Sequence, residues 1–315
     1  MDLRNYQRKD LMGFLRILAT AVPWQHLYRQ TLGKKHLTHP AANRSILSGK
    51  FPQFDPLTFS PSKMTIVSSP DQATWADPFI WAEEGKVCLF KEELPAGETC
   101  GYLSVVELDS SGLPKELPIP ILKNNSHHSY PFIFKYADDL WMIPENSMAN
   151  QLRLYRCIDF PHKWVPDKIL MEGVRYADPT LFEHQGRWWL FMTLAVGFYG
   201  VNTNLFLFSS DSPLSDEWVP HPMNPIVSGF HQSRPAGRLF YSKGRLYRPS
   251  QDCFKRYGHA LRINEITRLD AEHYEEKFIR KIEPWEDDIL GVHHIEINGD
   301  LIMMDIHRIS ESTTA

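Results

Sequence analysis

The spacing of apolar residues changes once along the chain. Leu11, Phe14, Leu15, Leu18 and Ala19 recur every three or four positions, behind the charged Arg4, Arg8, Lys9 and Asp10. That spacing predicts an amphipathic helix, which Pro23 ends or kinks. Residues 33–62 are rich in Gly, Pro, Ser and Asn and read as a long irregular connection. From about residue 64 the period shortens. Short apolar or alternating runs (Met64–Val67, Pro78–Trp81, Lys86–Phe90, Tyr102–Leu108) are cut by Gly, Asp, Asn and Pro, the texture of strands and hairpins.

Those strands repeat. Four segments share one order: a polar residue, proline, an apolar strand, a turn and a second, aromatic strand. They start at Asp77-Pro78, Tyr130-Pro131, Asp178-Pro179 and Arg234-Pro235, so the prolines lie 53, 48 and 56 residues apart. A proline-free fifth copy runs through Gly291–Ile297, turns at Asn298-Gly299-Asp300 and returns through Leu301–Met304. A strand-rich unit of about 50 residues in five copies predicts an all-β, five-bladed β-propeller. Each small sheet cannot bury both faces alone, and radial stacking covers them. Proline at the first residue of a strand costs no needed N–H. The expected organisation is a helical and irregular extension over residues 1–62 and a propeller over 63–315. The Met64–Val67 run is expected to pair with the last blade and close the ring.

Composition agrees with a packed globular body. The 315 residues are 43% hydrophobic and 23% charged. With 9 Trp, 12 Tyr and 18 Phe, the chain is too aromatic for a solvated coil. A net charge of −4 argues against nucleic acid as a partner. The four cysteines (88, 100, 157 and 253) form no Cys-x-x-Cys pair, so neither a zinc ribbon nor a disulfide scaffold is signalled. No apolar run is long enough to span a membrane. Arg16 interrupts the apolar stretch 11–22, which favours a helix over a secretion signal and a cytoplasmic location.

In a propeller the first strand of each blade lines the central channel, so matched repeat positions converge at one mouth. The position before proline offers Asp77, Tyr130, Asp178 and Arg234, with His293 or His294 in the fifth blade. The ends of the second strands offer Glu92 or Glu93, Glu145, Gln251 and Asp252. Alternation leaves one residue of each neighbouring pair for the mouth, and Glu93 is the candidate of its pair. His128 just before the second repeat joins them. Trp188 and Trp189 read as packing between blades. Carboxylates around a polar pocket suit glycosidic-bond chemistry: one protonates the leaving oxygen, and another activates water or attacks carbon. Arg234 would bind an anionic substituent or keep a carboxylate ionised. Gly-x-x-x-x-Gly-Lys-[Ser/Thr], Gly-x-Gly-x-x-Gly and Gly-x-Ser-x-Gly motifs are missing, so nucleotide-loop and serine-hydrolase chemistry are not signalled.

Trp75-Ala-Asp-Pro-Phe79, Ser129-Tyr-Pro-Phe132, Met142-Ile-Pro-Glu145, Ala177-Asp-Pro179, Ser233-Arg-Pro235 and Arg248-Pro-Ser-Gln-Asp-Cys253 resemble one group. It is the propeller domain of glucosamine inositolphosphorylceramide transferase-like proteins, which in some bacteria accompanies a formyltransferase domain. More distantly the chain is similar to the five-bladed propellers of glycoside hydrolase family 43. The resemblance covers about residues 64–308. It implies Asp77 as general base and Asp178 as the residue that orients substrate and tunes the acid. Family 43 carries its acid Glu where this chain has Arg234, so Glu145 stands in as the acid, with Asp252 next. Neither metal nor cofactor is expected. The implied ligand is a carbohydrate or glycoconjugate, with a glycoside hydrolase as the leading reading. The alternative is a non-catalytic propeller that binds a glycan or sugar nucleotide beside a partner transferase; a glycosyltransferase built on a propeller is a third. The transferase domain of the plant proteins has no expected counterpart in these residues.

Overall fold

The computed structural model describes residues 42–309, apart from 68, 70–72, 147–148 and 174. The helix expected over residues 11–22 lies outside the described residues. The chain forms five antiparallel sheets, each built from strands that follow one another outward from a central channel. The innermost strands of blades 1, 2, 3 and 5 are Thr74–Glu83, Ser129–Tyr136, Tyr176–His184 and Ile289–Asn298. In blade 4 the inner strand is reduced to Phe240–Ser242, preceded by a single bridge between Pro235 and Ser250. This is the five-bladed propeller that the repeat predicts.

Turn chemistry explains why the first two strands of a blade pair as hairpins. Glu84-Gly85, Gln185-Gly186 and Lys243-Gly244 each place two consecutive residues at positive φ. That is the turn whose twist matches antiparallel strands, and glycine takes its second corner without a Cβ clash. Strand alternation then buries both faces of each sheet against its neighbours. Phe79, Phe90, Phe132, Met142, Leu190 and Phe208 join blades 1 to 3. Ile46, Trp75, Ile80, Leu89 and Met303 join blade 5 to blade 1. Trp189 is buried between blades 3 and 4, and Trp188 packs on Phe134 and Tyr136, as expected for interface residues.

One segment departs from the sequence reading. Residues 42–50, read as part of an irregular connection, are a nine-residue strand (Ala42–Lys50). It lies between Leu301–Ile309 and Thr65–Val67 as the third strand of blade 5. The short Thr65–Val67 strand does join the last blade, but on the outside, with Leu47 opposite Met304 and Ile66 opposite Leu47. Polar Asn43, Arg44 and Ser45 hide this strand from a periodicity search, and its pairing partner is distant in sequence. Ile46 is fully enclosed at the interface of blades 5 and 1. Ile46→Ala should therefore cost ~2–5 kcal/mol in a denaturant titration; a cost near zero would mean that the strand does not hold the ring shut.

Candidate functional site

The inner strands carry a backbone irregularity at one repeat position. Asp77, Tyr130 and Asp178 sit at φ of 49°, 48° and 52°. The ladder shifts register beside each of them, a bulge between Ala76 and Phe79, Ser129 and Phe132, and Ala177 and Thr180. The following proline excludes the right-handed helical conformation. A left-handed, non-glycine residue costs ~1–2 kcal/mol. Each such residue is compensated by a carboxylate on the preceding blade. The Asp77 N–H donates to Asp305 Oδ2 at 3.0 Å, the Tyr130 N–H to Asp77 Oδ2 at 3.1 Å and the Asp178 N–H to Glu145 Oε2 at 3.0 Å. A hydrogen bond to a charged group contributes ~1.5–3 kcal/mol, enough to offset the strain.

Two clusters follow. In the first, Asp305 accepts the N–H groups of His293 and His294 as well as that of Asp77. It also meets His293 Nδ1 at 2.5 Å. His293 Nε2 and His294 Nδ1 stand 3.7 Å and 3.6 Å from Asp77 Oδ1. Burial works to raise the Asp77 carboxyl, but His294 and His293 outweigh it and hold the group below its ordinary value. Burial likewise opposes ionisation of Asp305, and His293 and Arg44 overcome it. The possible ligand atoms of Asp77, His293 and Asp305 lie within 4.8 Å of one another. Asp77 Oδ2 and Asp305 already accept backbone N–H groups and Asp305 holds His293 Nδ1, whereas Asp77 Oδ1 and His293 Nε2 face each other beyond hydrogen-bond distance.

In the second cluster, Arg234 grips Asp178 with two bonds, Nε to Oδ2 at 2.7 Å and Nη2 to Oδ1 at 3.2 Å. Its Nη2 also reaches Glu145 at 3.5 Å and its Nη1 reaches Asn202 at 3.1 Å. Gln251 Nε2 donates to Asp178 Oδ2 at 3.0 Å. Burial raises the Asp178 carboxyl well above its ordinary value; Arg234 pulls the other way, and Glu145 and Asp77 add to the rise.

The structure gathers Asp77, Glu145, Asp178, Arg234, Gln251 and His293 as the repeat implies, and it corrects five candidates. Glu93 lies on the other face of its strand, bound by Lys91 Nζ at 2.6 Å, Ser104 and Tyr102; its neighbour Glu92 takes the channel side. Asp252 also faces away, held by His231 and Lys281, because Gln251 takes the inward position. His128 is buried and meets Asn124 at 3.2 Å, and burial lowers its pKa to about 4, while His127 approaches Glu92 at 3.3 Å. Tyr130 and His294 lie below the mouth, fully enclosed, where their rings pack with Phe79. The Tyr130 hydroxyl bonds Thr180 and the Gly237 N–H, closing the channel rather than facing a ligand.

Three contributors escaped the sequence reading, and a fourth, Glu92, was passed over for Glu93. Glu92 is raised well above its ordinary value, by burial first and then by the charge on Asp77. Asp305 lies four residues beyond its hairpin, whereas Glu92 and Glu145 lie six beyond theirs, so the repeat position does not point to it. Arg44 comes from the strand missed above. Tyr257, on the loop after the second strand of blade 4, has the guanidinium carbons of Arg234 and Arg44 at 4.9 Å and 5.4 Å from its ring centre. Replacing Arg234 by Ala would leave Asp178 buried and unpaired, so Arg234→Ala should lose ~3–5 kcal/mol in chemical denaturation. Adding Asp178→Ala should recover part of that loss; strict additivity would show that the pair does not act as one unit.

Comparison with known proteins places this arrangement. A family described as "Glucosamine inositolphosphorylceramide transferase 1, N-terminal" matches residues 47–284. Glucosamine inositolphosphorylceramide transferase 1 of Oryza sativa subsp. japonica is 35% identical over 205 residues, 64% of this chain and 27% of that protein. The Arabidopsis thaliana protein is 34% identical over 205 residues, 64% of this chain and 26% of its own length. The chain thus spans about a quarter of these curated relatives. Among solved structures, the catalytic domain of Coprinopsis cinerea GH62 alpha-L-arabinofuranosidase aligns with a TM-score of 0.54 at 11% identity, over 85% of this chain and 98% of that one. A GH62 hydrolase in complex with xylotriose aligns at 0.51 and 10%, over 81% and 85%. These two likenesses concern the fold, whereas the family match covers well over half of the chain. The chain belongs to the glucosamine inositolphosphorylceramide transferase 1 N-terminal family.

Proposed function

We propose that the mouth is a carbohydrate-active site of the glycoside hydrolase type, with Asp77 as base and Glu92 as acid. The observation that carries this is the opposite displacement of two carboxyls on one blade. Asp77 is held below its ordinary value beside His294 and His293, whereas burial and the Asp77 charge push Glu92 well above its own. Two carboxyls driven apart in this way are the acid–base arrangement of glycosidic cleavage. Glu145, the acid expected from sequence, is committed to the Asp178 N–H and to Arg234. Glu92 remains partly open to solvent, at 13% side-chain exposure, with His127 beside it. A water polarised by Asp77 would attack the anomeric carbon while Glu92 protonates the departing oxygen.

A second reading keeps the ligand and drops the chemistry. Arg234 stands where family 43 has its acid, and it neutralises Asp178. The curated relatives are named transferases, and this chain matches about a quarter of their length. A glycan- or sugar-nucleotide-binding propeller that presents its ligand to a partner transferase fits those facts.

Purified protein assayed against aryl glycosides and unactivated oligosaccharides separates the two. Hydrolysis should appear and fall ~10²–10⁴-fold in both Asp77→Asn and Glu92→Gln. Binding without hydrolysis would support the second reading, and neither would overturn both. The rate should hold well above the usual glutamate range before its alkaline limb, and Glu92→Gln should abolish that limb. Stability gives an independent readout. A carboxyl raised in the folded state contributes stability that is complete below its unfolded pKa and is lost as pH rises through the folded value. Melting of the wild type should therefore weaken relative to Glu92→Gln as pH rises from the ordinary glutamate range; parallel curves would place Glu92 in open solvent.

A further inference from the structure

Of the three arginines around the mouth, one is neutralised. Arg234 has Asp178 and Glu145 within ion-pair reach. Arg44 and Arg256 have no carboxylate partner among the described residues. Both have a shielded nitrogen that donates to nothing there, Nη1 of Arg44 and Nε of Arg256. Burial first, and then the charge on Arg44, depress the Arg256 guanidinium. They also act together on His307, which pairs with Arg44 across the sheet; burial first, then Arg44 and Arg256, hold that imidazole at about 4. Folding has therefore collected two cations with shielded donors; Arg44 acts through space on Asp305 and Glu92, but no carboxylate among the described residues is in ion-pair contact with either guanidinium. That is unfavourable for the protein alone, and an oxyanion supplies the missing acceptors.

The place is defined by Gly258. Its backbone, at φ 62°, runs so close that a Cβ there would lie 2.9 Å from His293 Cβ and 3.2 Å from Arg44 Nη2. Arg44 and the 253–258 loop are thus pressed together beside the Asp77–His293–Asp305 cluster. Tyr257 is 36% exposed, with Arg44 on its ring and His293 edge-on at 5.5 Å. Asp77 and Glu92 border the same mouth.

We propose that Arg44 and Arg256 form an oxyanion subsite at the propeller mouth, which selects a sugar bearing a carboxylate or phosphate whose ring lies against Tyr257. This rests on the reading of the mouth as a carbohydrate site and names its ligand class. It moves anion recognition from Arg234, whose charge is spent internally, to two residues on blade 5 and the blade 4 loop.

The test uses three sugars that differ in one substituent: glucose, glucuronate and glucose 6-phosphate. Calorimetric titration at fixed ionic strength measures binding without turnover, so the outcome is independent of hydrolysis. The wild type should bind at least one charged sugar about tenfold or more tightly than glucose. Which one it prefers separates a carboxylate from a phosphate. The preference should shrink in Arg44→Gln and in Arg256→Gln, and as salt rises. If Arg44→Gln melts early, Arg256→Gln on the loop carries the comparison. Equal binding of glucose and both charged sugars, no binding of the charged sugars, or a preference that survives both substitutions would overturn the proposal. Failure of the hydrolysis assay alone would leave it standing.

Discussion

The structure depends on a single local conflict and its resolution. A residue before proline cannot enter the right-handed helical region, and at three inner strands it takes the left-handed one. Its N–H then points out of its own ladder. A buried N–H without an acceptor costs more than the strain itself, so an acceptor has to come from elsewhere. It comes from the blade behind: Asp305 for Asp77, Asp77 for Tyr130, Glu145 for Asp178. Arg234 links blade 4 to blade 3, and the Ile295 N–H to Ala236 carbonyl bond links blade 5 to blade 4. The five interfaces are thereby tied around the mouth by polar groups, while apolar clusters tie them further out.

This ring gives the carboxylates two duties. Each satisfies a backbone donor, which is architecture. Each also brings negative charge into a confined, largely dry space, where carboxyls cannot all ionise alike. Histidines on one side and an arginine on the other divide the burden. Asp77 and Asp305 are held below their ordinary values, and Glu92, with no cation in contact except the approach of His127, is pushed well above its own. A chemically polarised pair thus arises from the packing that closes the ring.

Blade count, strand positions and the convergence of Asp77, Glu145, Asp178, Arg234 and His293 were legible because proline and turn glycines mark each unit and alternation is local. The choice between neighbouring residues was less legible. Glu92 against Glu93 and Gln251 against Asp252 depend on which face of the strand looks inward, and in blade 1 the bulge across Asp77-Pro78 shifts the pairing next to Glu92. Asp305 was missed because the fifth unit lacks the proline and the residue is set among buried Met303, Met304 and Ile306. Arg44 was missed because its strand is polar at one end and pairs with residues more than 250 positions away. Interactions so remote in sequence leave no periodicity to read.

Blade 5 is a composite of both ends of the described chain: Ala42–Lys50 and Thr65–Val67 stand against Ile289–Asn298 and Leu301–Ile309. Its assembly is a contact of very high sequence separation, the slow kind in folding. The mouth inherits that dependence. Arg44 comes from one end of the described residues, His293 and Asp305 from the other, and neither group faces the other until the circle is joined. Without residues 289–309, Asp77 lacks the Asp305 acceptor of its N–H and the His293 imidazole beside its carboxylate, so the Asp77 side of the mouth forms only with blade 5.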